Sequence, residues 1–154
     1  MKRLTLVLSL VVFALLGLIS SVFAAEQRWS KFSPGSWVLY EISGGMEQKQ
    51  TLVEKTDTEV TIKNEEIMRG NVVSSQEIKI PLSEHSPMAS GNPEVKISSE
   101  EFEFQGKKLN CKVYDSETAQ GHSKTLFSDE IPGGLVQATL GGQILMTAID
   151  CDLK

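Results

Sequence analysis

The chain has 154 residues, 15 basic and 20 acidic side chains, a net charge of -5 and 40% apolar composition, which suits one domain with a single core. Its lysines and arginines are scattered. The densest pair, Lys107-Lys108, lies near Glu101 and Glu103, so no basic stripe exists to neutralise phosphates and nucleic-acid binding is not expected.

Met1-Lys2-Arg3 places two positive charges ahead of an apolar run from Leu4 to Ile19 that holds no charge and no proline, the layout of a secretory signal. Val22-Phe23-Ala24-Ala25 then offers cleavage after Ala24 or Ala25. The competing reading is an uncleaved anchor, because about 20 apolar residues can cross a bilayer as a helix. The polar Ser20-Ser21 pair and the processing site argue against it, and no second hydrophobic run follows, so no transmembrane span is expected after cleavage. The expected organisation is a signal over 1–24 and one exported domain over 25–154, periplasmic or extracellular. Cleavage would leave 13 basic against 20 acidic side chains.

The domain opens on a lead-in with Trp29 and Phe32, and Ser33-Pro34-Gly35-Ser36 signals a turn. Trp37 to Ile42 is short, aromatic and β-branched, and Ser43-Gly44-Gly45 turns it into a strand from Glu47 to Val53. Thr58 to Lys63 alternates with period two, with Val60 and Ile62 on one face and Glu59, Thr61 and Lys63 on the other. Asn64 to Met68 reads as the end of that strand or as one helical turn. Gly70-Asn71 leads into Val72 to Ile80, which ends at Pro81. The stretch from Pro81 to Pro93 holds three prolines and is either a flap or a plain connection.

Glu101 to Phe104 alternates strictly, Gln105-Gly106 makes a tight turn, and Leu109, Cys111 and Val113 share the next strand's inner face. Phe102 is predicted opposite Leu109. A strand over Ser123 to Phe127 and a Pro-Gly-Gly turn follow, and Gly141-Gly142 joins Leu135–Leu140 to Gln143–Cys151. These last two strands carry apolar side chains on both faces, as covered strands do. Alternation puts Cys151 with Ile149, Thr147 and Leu145. In an exported chain the two cysteines predict a disulfide between Cys111 and Cys151, contributing on the order of 4 kcal/mol; two buried free thiols are the alternative.

Eight or nine strands in sequential hairpins, with no ten-residue helical periodicity after the signal, predict an all-β antiparallel meander. It curls into a half-barrel or closes into an up-and-down barrel. Ser128-Asp129-Glu130-Ile131-Pro132-Gly133-Gly134-Leu135-Val136, after Cys111-Lys112-Val113-Tyr114 and with the lead-in Ser33 to Val38, resembles a set of uncharacterised exported bacterial proteins. These look like relatives of the periplasmic lipoprotein-carrier (LolA-like) half-barrels. The resemblance implies a curved antiparallel sheet with an apolar concave face. The sequence departs from the carriers in showing no evident amphipathic helix to plug that face, and no functional residue carries over.

Chemistry-bearing patterns are sparse. His85 and His122 have no histidine or cysteine at ligand spacing, so no metal or other cofactor is expected. Gly121-His122-Ser123 starts like a nucleophile elbow, but its fifth position is Thr125 and its context is a hairpin. Ser123 with His122 or His85 and an acid such as Asp129 is the one hydrolytic set the sequence could assemble, and it is not expected. Glu101 and Glu103 fall on a solvated face, and the paired glycines are turn glycines.

The expectation is therefore a non-catalytic binding module whose concave face takes a lipid or another hydrophobic small molecule. Trp37, Leu39, Phe102, Phe104, Val136 and Leu145 are the cavity candidates. The alternative is an envelope interaction protein that pairs a strand edge with a partner protein, a reading that a long unprotected edge would favour.

Overall fold

The computed structural model describes residues 25–82 and 95–154. The expected signal and the Pro81–Pro93 loop from Ser83 onward lie outside the described residues. A short helix, α1 (Ala25–Ser30), precedes nine strands: β1 (Trp37–Ile42), β2 (Met46–Lys55), β3 (Glu59–Met68), β4 (Asn71–Pro81), β5 (Lys96–Phe104), β6 (Lys107–Thr118), β7 (Gly121–Phe127), β8 (Leu135–Leu140) and β9 (Gln143–Asp152). They form one sheet in the order β4-β3-β2-β1-β9-β8-β7-β6-β5, antiparallel at every step. The meander is as expected, and it is an open curled sheet, not a closed barrel.

Strand direction shows why the ends do not join in the same way. The first and last strands, β1 and β9, pair in the middle of the sheet, which leaves β4 and β5 as the two edges. Direction reverses at each antiparallel step, so β4 and β5 run parallel to each other and an antiparallel ladder cannot close the ring between them. The chain from Leu82 to Val95 joins one edge to the other in place of a hairpin.

The hairpins follow local chemistry. Gln105 (φ 51°) and Gly106 (φ 73°) both take the left-handed conformation that a two-residue hairpin turn needs, and Phe102 sits directly opposite Leu109, as the alternation predicts. Asn64 to Met68 continues β3 as strand.

Two faces can be traced across the ladders. Tyr40 faces Gln48 and Ala148, Met146 faces Ala138, and Ala138 leads through Thr125 to Tyr114. This face carries the buried Val38, Tyr40 and Ile42 of β1, with Leu52 and Ile62 beside them. On the other face Val113, Leu126, Gln137, Thr147 and Glu41 follow one another. There Leu109, Cys111, Val113 and Leu126 are buried, so the β6–β7 region is covered on both sides.

Helix α1 covers the Tyr40 face, an element the sequence did not announce. Its Arg28 guanidinium lies 3.7 Å above the Phe127 ring, and Trp29 is buried in the core against Gly133. Lys55 ties the helix end down by donating to the Ser30 carbonyl. Six residues are too few to hold a helix by backbone bonds or to show a 3.6 period, so α1 depends on these tertiary contacts.

Candidate functional site

Both cysteines are free thiols, so the expected Cys111–Cys151 disulfide is not formed. The ladders give the reason. Cys151 is opposite Val38, yet Ala148 is opposite Tyr40, so Ile149 is an extra residue that reverses the alternation. Cys151 thereby joins the face of Val38 and Ala148, not the face of Thr147 as the alternation predicted. Cys111 shares a face with Val113, the opposite one, and β7 and β8 lie between the two strands. Three strand spacings of about 4.8 Å exceed the roughly 7 Å limit between bridged Cα atoms. Burial pushes both thiols above their ordinary pKa, with Glu100 and Glu130 adding to it at Cys111, and Asp150 and Asp152 at Cys151. Without reductant, the folded chain is expected to show alkylation at the half-buried Cys151 while Cys111 stays protected until unfolding, read by peptide mass mapping.

The cavity candidates are spread through the packing. Trp37, Leu39, Phe102 and Phe104 share the face away from α1, at β1 and β5. Gln105 donates to Asp150, directly opposite Leu39, which draws the β5–β6 turn toward β9. Lys49 lies 4.3 Å above the Trp37 ring. Phe104 is buried, Val136 has no exposed surface, and Leu145 is half-buried with its carbonyl accepting from Ser43.

The hydrolytic set is not assembled among the described residues. Ser123 and His122 are neighbours on β7 and point to opposite faces, and Asp129 is taken up by Lys31 at 2.9 Å. His122 lies 3.0 Å from Asp115, an ion-pair distance at which that Asp115 oxygen still has no aligned hydrogen bond. His85 is outside the described residues. No group of three or more potential metal ligands converges among the described residues.

Sequence reasoning missed a buried polar set on the Tyr40 face. Gln48 is 1% exposed and donates to Asn64 at 2.6 Å, while its own carbonyl oxygen has no partner. Arg28 is 9% exposed, and burial lowers its pKa although Tyr114 and Asp129 oppose the shift. The alternation of Gln48 with Lys49 could have marked Gln48 as inward, but nothing local pairs it with Asn64, sixteen residues on. Asn64→Leu is expected to cost about 2 kcal/mol by leaving the Gln48 amide bare, and adding Gln48→Leu to recover most of it, measured by urea unfolding.

The feature that stands apart from the core is the edge strand β4. It is eleven residues long, and every residue except the partly buried Ile80 is exposed, including Val72, Val73 and Ile78. The Leu82 N–H donates to the Thr58 carbonyl at 2.7 Å. Even-numbered backbone groups at this end of β4 therefore point toward β3, and those of Ser75, Glu77 and Lys79 point outward. Pro81 falls on the outward parity, where its missing N–H leaves no ladder bond unmade. The two edges differ in charge. β4 carries one acid and one base, Glu77 and Lys79, whereas β5 carries Glu100, Glu101 and Glu103 against Lys96. Like charges along β5 discourage pairing, and β4 lacks that protection. No family model, curated protein or solved structure matches this chain.

Proposed function

We propose that this chain is an exported, non-catalytic interaction module of the periplasm or cell envelope that adds an extended segment of a protein partner to its sheet at the β4 edge. The observation that carries this reading is β4 itself, an exposed strand of eleven residues with outward backbone groups at Ser75, Glu77 and Lys79 and no net charge. Main-chain bonds along such an edge supply affinity, and alternate side chains supply selectivity. Export is supported by the Lys2-Arg3 charges and the apolar run that follows them.

A photo-crosslinking side chain at Ser75 or Lys79, in chain produced by an exporting host, is expected to give a discrete product. The same group at Lys63, one strand inward, is expected to give none. Glu77→Pro removes an outward N–H while leaving the bonds toward β3, and it should abolish the product without lowering stability by more than about 1 kcal/mol. Equal labelling from Lys63 and Lys79, or a product indifferent to Glu77→Pro, would exclude the edge.

A hydrophobic ligand on the face away from α1 is the second reading. It is favoured by Trp37, Leu39 and Phe102 remaining only half-buried on one face, with the β5–β6 turn drawn toward β9. Native mass spectrometry of detergent-free protein separates the two readings. Extra mass extractable as lipid supports the ligand, and a bare chain removes tight retention.

A further inference from the structure

The side-chain rows that end at β4 are complementary to themselves. On the face covered by α1, Leu52 lies opposite Ile62 and Ile62 opposite Ile78, and exposure along this row rises from 0% to 4% to 43%. The core thus runs out to the edge and stops at a bare isoleucine. On the other face Lys63 is opposite Glu77, and Lys79 is held by Glu59 at 3.2 Å.

We infer that β4 pairs with β4 of a second copy of this chain, antiparallel, about a two-fold axis through Ile78. The inference rests on the edge reading above and names its partner. A two-fold axis normal to the sheet keeps each face on its own side, so residues opposite one another must differ by an even number. With Ile78 on the axis, Glu77 of each copy faces Lys79 of the other, and both charges are matched. The charged row then reads Lys63, Glu77, Lys79 and Thr61 from one copy into the next, with Glu59 beside Lys79. The other face reads Leu52, Ile62, Ile78, Ile78, Ile62, Leu52 without a break.

Centring on Glu77 would set two glutamates face to face. Centring on Gln76 would set Glu77 against Ser75 and Lys79 against Val73, matching neither charge. In the Ile78 register Glu77 and Lys79 exchange outward backbone bonds. Pro81 accepts from the Ser75 N–H but has no N–H to return, so the Ser75 carbonyl stays unpaired and the ladder ends at this pair. The ladder covers Ser75 to Pro81, less surface than the about 1,200 Å² of a standard interface, so the dimer belongs to the weak, micromolar class.

The test uses the full exported chain in analytical ultracentrifugation from about 5 to 500 μM, a range that brackets a micromolar constant. The wild type should pass from monomer to dimer. Glu77→Lys and Lys79→Glu should each weaken dimerisation at least tenfold, and the combined Glu77→Lys/Lys79→Glu chain should regain it. The register has its own check. Ile78 faces its own copy at a position without inter-copy backbone bonds, where Cα atoms approach to about 4.5 Å and a disulfide fits. Ile78→Cys should give a 78-to-78 linked dimer under mild oxidation, located by peptide mapping, and Ile80→Cys should not. A wild type that stays monomeric, or a swapped chain that does not regain the dimer, overturns the inference. If the wild type is monomeric but the crosslink at Ser75 joins a protein of another mass and is lost in Glu77→Pro, self-pairing falls and the edge reading stands. If neither product forms, both fall.

Discussion

Replacing Trp29 with alanine is expected to lower the unfolding free energy by about 3–5 kcal/mol, the range for truncating a buried large aromatic. Trp29 is 3% exposed, and its indole packs against Gly133 while Arg28 beside it stacks on Phe127. A six-residue helix has no stability of its own, so removing its anchor both opens a cavity and releases α1 from the sheet. A domain of this size has only about 5–15 kcal/mol in all, so the variant would lose a large share of it. Urea unfolding measures the loss. Trp37→Ala is the matched control, because Trp37 is only half-buried, under Lys49, and its removal leaves α1 seated. Equal losses at the two tryptophans would mean that α1 does not hold the Tyr40 face closed.

What the sequence disclosed and what it hid divide along the range of the interactions. The β5–β6 hairpin was legible because period-two alternation and the Gln105-Gly106 turn are local, and the pairing of Phe102 with Leu109 follows from them. Helix α1 was not legible, since its order comes from contacts with Phe127 and Gly133, about a hundred residues away. The cysteines were misread for a related reason. The extra residue Ile149 opposite β1 puts Cys151 on the face opposite to the one that counting along β9 from Thr147 predicts, and no residue type at that position signals the bulge. Strand order was equally hidden. That β1 pairs with β9, which leaves β4 as an edge, is decided by the whole sheet, although Pro81 and the exposed polar run from Ser74 to Glu77 are features that edge strands tolerate.

Among glycine-to-alanine changes at the described glycines, Gly134→Ala should be the most damaging, at roughly 3 kcal/mol from backbone strain and overpacking together. Gly134 has φ +74°, a conformation that costs an L-residue about 1–2 kcal/mol. The added Cβ would also overlap Arg28 Cδ. That atom is the middle of a buried side chain whose far end is fixed over Phe127, so it cannot swing aside without leaving the ring. Gly142→Ala isolates the first contribution, because φ there is +80° and nothing lies within 4 Å of the added carbon. The difference between the two variants is the overlap with Arg28. An Arg28→Ala background should remove that difference while leaving the backbone cost, so the double-mutant cycle should give a coupling of about 1–2 kcal/mol. Additive losses in the cycle would mean that Gly134 is needed for its backbone alone and that Arg28 is free to move. A coupling of the expected size would mean that the Pro132-Gly133-Gly134 turn is shaped to receive α1, with Gly133 admitting Trp29 and Gly134 admitting Arg28.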